Sequence, residues 1–163
     1  MIPKNTVGIA AEYAVASELA RRGIYAQLTL GNQKRTDLLI FADNAAPIRI
    51  EVKGKQGRDW PHCKGVSGDH TLLVLVDFRN KAETERPDFY ILTADDWLTY
   101  VKSVAAEYLH KKITVDAQNI PTWTTEINKY GQAFRGMSIF ADSVIDHKEK
   151  WCKIVARCGA QEP

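Results

Sequence analysis

The sequence predicts an α/β fold in which a central mixed β-sheet is flanked by helices, and three segments carry that prediction. Apolar residues recur at three-to-four spacing over 6–22, which is the period of a helix with one buried face. Residues 48–53 alternate between apolar and charged side chains, as in a strand with one covered face. Residues 72–78 form a run that is apolar apart from Asp77, which is typical of a strand buried on both faces.

The elements of the first half follow in chain order. They are a helix at 6–22, strands at 25–30, 38–42 and 48–53, and an irregular loop at 54–69. Gly23 supplies the C-terminal stop of the helix. Turn residues at 43–47 join the second and third strands, which predicts an antiparallel hairpin. The last segment is polar and rich in glycine, so we expect a functional loop there rather than a regular element.

The second half begins with the buried strand and then becomes less regular. It is expected to contain strands at 72–78 and 89–93, a helix at 95–111 and a closing helix at 142–157. Thr93 and Asp96 have the spacing of a capping box that opens the third of these elements. Residues 113–141 receive no elements. We therefore expect a single domain over 1–163, with a core at about 6–112 and a C-terminal helical extension at about 113–163.

Composition narrows the class of protein. The chain has 163 residues, with 45% hydrophobic and 26% charged side chains, which is an ordinary globular composition. The three cysteines include no CxxC pair, so a disulfide framework or structural zinc site is not expected. No apolar run approaches the roughly 20 residues that cross a bilayer, and the N-terminus lacks a secretory signal. We expect a cytoplasmic protein without a membrane partner.

The net charge of +2 hides an uneven distribution. Basic residues are in excess in 1–65 and 127–163, whereas acidic residues are in excess in 66–126. This pattern permits a polyanionic partner without requiring one.

Four side chains are expected to converge at one edge of the sheet. Glu51 and Lys53 share a face of their strand because side chains alternate. Hairpin pairing would bring Asp37 beside Glu51. Glu12 lies on the apolar stripe of the first helix, whereas Glu18 lies off it, so Glu12 would face the sheet and need a partner. Carboxylates with a lysine suit phosphodiester hydrolysis, since hard oxygen ligands hold Mg²⁺ and the lysine assists the nucleophile.

The order Gly8…Glu12…Asp37…Glu51-Val52-Lys53 resembles the PD-(D/E)xK nuclease superfamily, which has the restriction-endonuclease-like fold. Within it, the pattern is most similar to Holliday-junction-resolvase-like and group-I-intron-endonuclease-like members, over roughly residues 8–93. The resemblance implies a DNA endonuclease in which Asp37 and Glu51 bind Mg²⁺, with Mn²⁺ as a substitute. It further implies that Lys53 assists the attacking water and that Glu12 supports the metal or the water.

The sequence departs from the superfamily pattern in two places. Thr36 stands where the superfamily name has proline, and residues 54–69 replace a helix that many members have there. A homodimer would be the simplest way to cut both strands of a duplex.

Basic residues near this edge are predicted to contact phosphates of DNA. They are Lys34 and Arg35, just before Asp37, and Lys55 and Arg58, just after Lys53. Three alternatives stay open. The charged strand residues could be an ordinary solvent-facing ladder. The chain could be a non-catalytic DNA- or protein-binding module on the same fold. It could also be an interaction or immunity protein without a nucleic-acid role.

Overall fold

The computed structural model describes residues 2–29, 35–41 and 46–159. The regular elements in chain order are α1 (Val7–Ala20), β1 (Ala26–Leu28), β2 (Leu38–Ile40), β3 (Ile48–Lys55), β4 (Asp59–Cys63), β5 (Thr71–Asp77), β6 (Asp88–Thr93), α2 (Ala94–Glu107), β7 (Ile113–Val115), β8 (Pro121–Ile127), β9 (Ala133–Arg135), β10 (Met137–Phe140) and α3 (Cys152–Cys158). Two 3₁₀ helices, Leu109–Lys111 and Ala141–His147, lie between them. The predicted ends at residues 30 and 42 lie outside the described residues.

The central sheet has five strands in the order β1-β2-β3-β5-β6. β3 and β5 are parallel, and the other neighbouring pairs are antiparallel. The predicted mixed sheet flanked by helices is therefore confirmed. The predicted hairpin of β2 and β3 is also present, with Leu38 opposite Ile50 and Ile40 opposite Ile48.

Each face of this sheet packs into its own apolar cluster. Alternate residues of β5 divide between the faces, so that Leu72 and Val74 join α1 and α3, while Leu73 and Leu75 join α2, β4 and β10. Every residue of β5 is buried, as its apolar run predicts. The capping box predicted for α2 is present, because Thr93 and Asp96 exchange side-chain to backbone hydrogen bonds of 3.1 and 2.8 Å.

Two parts of the chain differ from the sequence-based expectation. The segment 54–69 contains the end of β3 and the whole of β4, so it is not an irregular loop. The polar composition of this segment does not indicate a strand. The strand β4 forms because it pairs with β10, which lies near the far end of the chain. The closing helix expected at 142–157 is divided into a 3₁₀ helix and α3.

The segment beyond residue 112 takes part in both clusters. Met137 and Ile139 of β10 join the cluster beneath α2, and Ile154 of α3 joins the cluster beneath α1. A small three-stranded sheet, β7-β8-β9, precedes β10 in the chain. The C-terminal third therefore covers both faces of the central sheet.

Helix α1 lies unusually close to β3 at Gly54. A Cβ atom at this glycine would come within 2.8 Å of both the Ala11 Cβ and the Val7 carbonyl oxygen. Absence of a side chain at Gly54 thus permits this approach. In the part of the chain that the structure describes, no helix is long and apolar enough to span a membrane.

Candidate active site

The candidate site is built around a stretch of β3 that β2 does not cover. β2 pairs only with Ile48–Ile50 of β3. The Asp37 N–H donates to the Ile50 carbonyl at 2.8 Å, and the Asp37 carboxylate then accepts the Val52 N–H at 2.6 Å. The Asp37 side chain therefore accepts the hydrogen bond of the Val52 N–H, in place of a backbone carbonyl of the β2–β3 ladder. This hydrogen bond fixes the carboxylate beside Glu51, as the hairpin prediction requires.

Glu51 is the most buried acid of the site, with 3% relative exposure, and two cations flank it. Lys53 Nζ lies 3.0 Å from its Oε1, and Arg35 Nε lies 3.4 Å from its Oε2. Arg35 also donates to the Gly65 carbonyl, which ties the chain before β2 to the β4–β5 connection. A buried carboxylate needs such partners because an unpaired charge there would be costly.

Glu12 reaches the same region from α1. It is half-buried, and both Asp37 and Lys53 lie close enough to act on its charge. Its neighbour Ala11 contacts Gly54, which follows Lys53 in β3. The close approach of α1 to β3 thus brings Glu12 toward the lysine.

The electrostatics of the site disfavour its own negative charges. Burial raises the pKa of Asp37, and the charge of Glu51 adds to this effect, although the Val52 N–H and Lys53 oppose it. Burial also raises the pKa of Glu12, and the charge of Asp37 raises it further. Burial alone would lower the pKa of Lys53, but the ion pair with Glu51 outweighs it and the pKa is raised. Such a desolvated cluster of carboxylates favours an additional cation.

The donor atoms of the site suit one mode of divalent-metal binding and not another. No group of three His, Cys, Asp or Glu side chains among the described residues is arranged to hold one. Glu12, Asp37 and Glu51 therefore do not form a closed three-ligand set. Mg²⁺, however, commonly binds through one or two carboxylates and keeps several waters or substrate oxygens. The oxygen donors of Asp37 and Glu51, with their unfavourable mutual charge, fit that mode of binding.

Of the four basic residues predicted to contact DNA, the three that the structure describes do not share one environment. Lys34 lies outside the described residues. Arg35 pairs with Glu51 and so belongs to the site itself. The prediction for Lys55 needs correction, because its side chain is only 2% exposed and its ammonium pairs with Asp77 at 2.7 Å. Arg58 is exposed, with its guanidinium 5.2 Å from the centre of the Phe140 ring.

The contrast drawn between the two glutamates of α1 is wrong for Glu18. Its relative exposure is 5%, and it forms ion pairs of 2.7 Å with both Arg22 and Arg86. Hydrogen bonding from Arg86 is the main reason that the pKa of Glu18 is lowered to about 2. Arg22, one helical turn after Glu18, was the available signal in the sequence.

Cys63 is a neighbour of the site that sequence reasoning did not find. It is fully buried, and burial raises its pKa to about 12, against an opposing effect of Lys53. Its thiol lies 3.5 Å from the Trp60 carbonyl. The proximity to Lys53 follows from the position of β4, which the sequence pattern did not reveal.

Comparison with protein-family models finds no match, and no curated protein matches the chain. Among solved structures, the chain is similar to a bacterial homing endonuclease, I-Ssp6803I, at 14% sequence identity with a TM-score of 0.48. The alignment covers 98% of this chain and 96% of that chain.

Proposed function

We propose that this protein is a Mg²⁺-dependent DNA endonuclease with its active site at the uncovered stretch of β3. The observation that carries the proposal is the grouping of Glu12, Asp37 and Glu51 around Lys53, with the pKa of Glu12 and of Asp37 raised. Structural ion pairs normally lower the pKa of their carboxylates. Raised values in a cluster of acids beside a lysine are instead typical of sites that bind a cation or move a proton.

Two of the three acids would bind the metal. Asp37 and Glu51 would bind Mg²⁺, and Mn²⁺ would substitute for it. When bound, the ion would polarise the scissile phosphate and the water that attacks it. Asp37 is already oriented by the Val52 N–H. Glu51 would exchange part of its pairing with Lys53 and Arg35 for the metal, which would leave both cations free to face a phosphate.

Lys53 and Glu12 would act on the substrate and the water. Because the pKa of Lys53 is raised, its ammonium stays charged at neutral pH and stabilises negative charge on the phosphate rather than accepting a proton. Its side chain is 38% exposed, which leaves room for that contact. Glu12, with its raised pKa, is the better proton acceptor. The water oxygen would bond to phosphorus, the bond from phosphorus to the leaving oxygen would break, Glu12 would take the proton of the attacking water, and the leaving oxygen would take a proton from solvent.

Nicking of supercoiled plasmid DNA in Mg²⁺ or Mn²⁺ tests the proposal. Lys53→Arg retains the charge that pairs with Glu51, but a broad guanidinium does not replace a compact ammonium beside a water. We expect Lys53→Ala and Lys53→Arg to slow nicking by roughly 100-fold or more, as loss of one transition-state contact does. Lys102→Ala, at an exposed position of α2, is the matched control and should nick at the wild-type rate. Absence of wild-type cleavage, or an unaffected Lys53→Ala variant, would contradict the proposal.

A non-catalytic DNA- or protein-binding module is the second candidate. It is favoured by the engagement of Glu51 with two cations and of Asp37 with the Val52 N–H, which gives both acids a structural role. Calorimetric titration with Mn²⁺ distinguishes the two. A nuclease site should bind the ion and lose it in Asp37→Asn, whereas a binding module should show DNA affinity without metal uptake.

A further inference from the structure

A polar cavity of about 230 Å³ lies at the ends of β3 and β5, apart from the acids of the candidate active site. Its lining combines three cations, two carboxylates and an apolar wall: Lys55, Arg58, Asp77, Arg79, Phe140, Ala141 and Asp142. Lys55 and Asp77 face each other in the register of the two parallel strands. Nothing in the proposed chemistry of Asp37 and Glu51 uses these groups.

The buried ion pair in this cavity organises the two turns beside it. Lys55 Nζ lies 2.7 Å from Asp77 Oδ2 and 3.4 Å from the carbonyls of Gly57 and Arg58, which belong to the β3–β4 turn. Asp77 Oδ1 accepts the Arg79 N–H at 2.8 Å, which fixes the turn after β5. Lys55 and Asp77 thus satisfy each other and hold the backbone at both arginines.

The two arginines of the cavity have exposed, charged side chains. Arg58 and Arg79 are exposed, and neither forms an ion pair with any residue in the described ranges. Arg58 rests over the Phe140 ring, which limits the positions of its guanidinium. The charges of Lys55 and Asp77 cancel each other. In the lining of the cavity this leaves the negative charge of Asp142 and the positive charges of two guanidinium groups. The cavity therefore has an excess of positive charge on forked donors, which suit a phosphate, and the Phe140 ring holds one of these donors, Arg58.

The cavity also lies in line with the candidate active site. Glu51, Lys53 and Lys55 occupy alternate positions of β3 and so share one face of that strand. Two residues of a strand advance by about 6.6 Å, so the cavity begins one such step beyond Lys53. A polyanion that places one phosphate at Lys53 would pass the mouth of this cavity.

We propose that Arg58 and Arg79 bind a backbone phosphodiester of the DNA strand next to the one at Lys53, with Lys55 and Asp77 as positioning residues. This inference rests on the proposed function, because it takes DNA as the substrate. It assigns Lys55 a role different from direct contact with phosphate. It also adds Arg79, which has no motif around it in the sequence.

Salt titration of DNA binding by the full chain tests the assignment. Arg58→Gln and Arg79→Gln should each weaken affinity by about tenfold and reduce the slope of log affinity against log salt by about 0.9. Arg58→Lys and Arg79→Lys keep the charge, so they should keep the slope. Lys102→Gln, on exposed α2, is the control and should change neither quantity.

A double variant tests the positioning role of Lys55 and Asp77. Lys55→Met combined with Asp77→Leu replaces the buried pair by apolar side chains of similar volume, a change that commonly preserves folding. We expect an unaltered cooperative melting transition but a salt slope reduced toward that of the arginine variants, because the turns are no longer held. A wild-type slope in this double variant would refute the positioning role.

Two further measurements separate the phosphate source and the two proposals. Titration with inorganic phosphate should shift the amide resonances of Arg58 and Arg79 only weakly, and DNA should displace it; tight phosphate binding that DNA does not displace would overturn the assignment. If the wild type nicks DNA and the Arg58→Gln and Arg79→Gln variants keep its salt slope, this inference fails while the proposed function stands. If the wild type neither binds nor nicks DNA, the proposed function fails.

Discussion

Gly54→Ala is expected to impair activity from a position that carries no functional group. The new Cβ would lie 2.8 Å from the Ala11 Cβ and from the Val7 carbonyl, whereas ordinary contact begins at 3.4 Å. Both neighbours belong to α1, and one of them is backbone, so rotation of a side chain does not relieve the clash. The helix must move away from β3 by at least the 0.6 Å that separates these two distances.

The energetic cost of that movement follows from two opposing effects. Overpacking a core contact costs about 1–3 kcal/mol. Alanine restricts the conformations of the unfolded chain, which stabilises the folded state by about 0.4–1 kcal/mol. The variant should therefore lose about 1–2 kcal/mol of unfolding free energy, which for a chain of this size corresponds to roughly 5 °C in Tm. It should stay folded at 25 °C.

The effect on nicking should exceed the effect on stability. Glu12 follows Ala11 in α1, so its carboxylate moves with the helix away from Lys53 and Asp37. A displacement approaching 1 Å at a reacting group costs up to about 100-fold in rate, so we expect a roughly 10- to 100-fold slower reaction. Plasmid nicking and thermal melting of the same preparations measure both quantities.

Gly8→Ala is the matched control for this prediction. Gly8 lies on the same helix, and a Cβ there would meet nothing within 4 Å. Alanine in a helix is favoured by about 0.5–1 kcal/mol over glycine, so this variant should melt slightly higher and nick normally. If Gly54→Ala nicks and melts like the wild type, α1 does not position Glu12 and the reasoning is refuted.

Three further predictions concern stability, each measured by melting. The pKa of Glu12 is raised in the folded state, so its contribution to stability is present below its ordinary pKa of 4.5 and is lost as pH rises; Glu12→Gln should melt higher than the wild type at neutral pH but not at acidic pH. The pKa of Glu18 is lowered to about 2, so its contribution is present above 4.5 and is lost as pH falls toward 2; Arg86→Gln should flatten that acid loss. Thr93→Ala removes the N-cap of α2 and should cost about 1 kcal/mol, whereas a cost near zero would show that the helix does not depend on its capping box.

Local patterns predicted the part of the site that lies close together in the chain. The alternation at 48–53 and the turn before it were enough to place Asp37 beside Glu51, because hairpin register depends on neighbouring residues. The spacing of Thr93 and Asp96 similarly predicted the start of α2. These signals are local, and tertiary contacts do not alter them.

Contacts between distant segments were not predictable in the same way. Lys55 looks like another exposed basic residue, and only its pairing with Asp77, 22 positions along the chain, makes it a buried one. Glu18 has the same difficulty, since its strongest partner is Arg86. Single-sequence periodicity contains no information about which distant charge meets which, so polar residues with buried partners were assigned to the surface.

The pairing of β4 with β10 has a consequence for how the protein is made. Met137 lies opposite Cys63 and Phe140 opposite Asp59, so β4 pairs with a strand that lies 74 to 81 positions later in the chain. During synthesis the acids and the lysine leave the ribosome long before that strand does. Pairing at such separation is slow, because the intervening chain loses conformational entropy on closing the loop before the stabilising contacts form. The nascent chain would therefore carry every proposed catalytic residue before the strand that pairs with β4 is available, and we expect the proposed activity to begin only after β10 has emerged and docked.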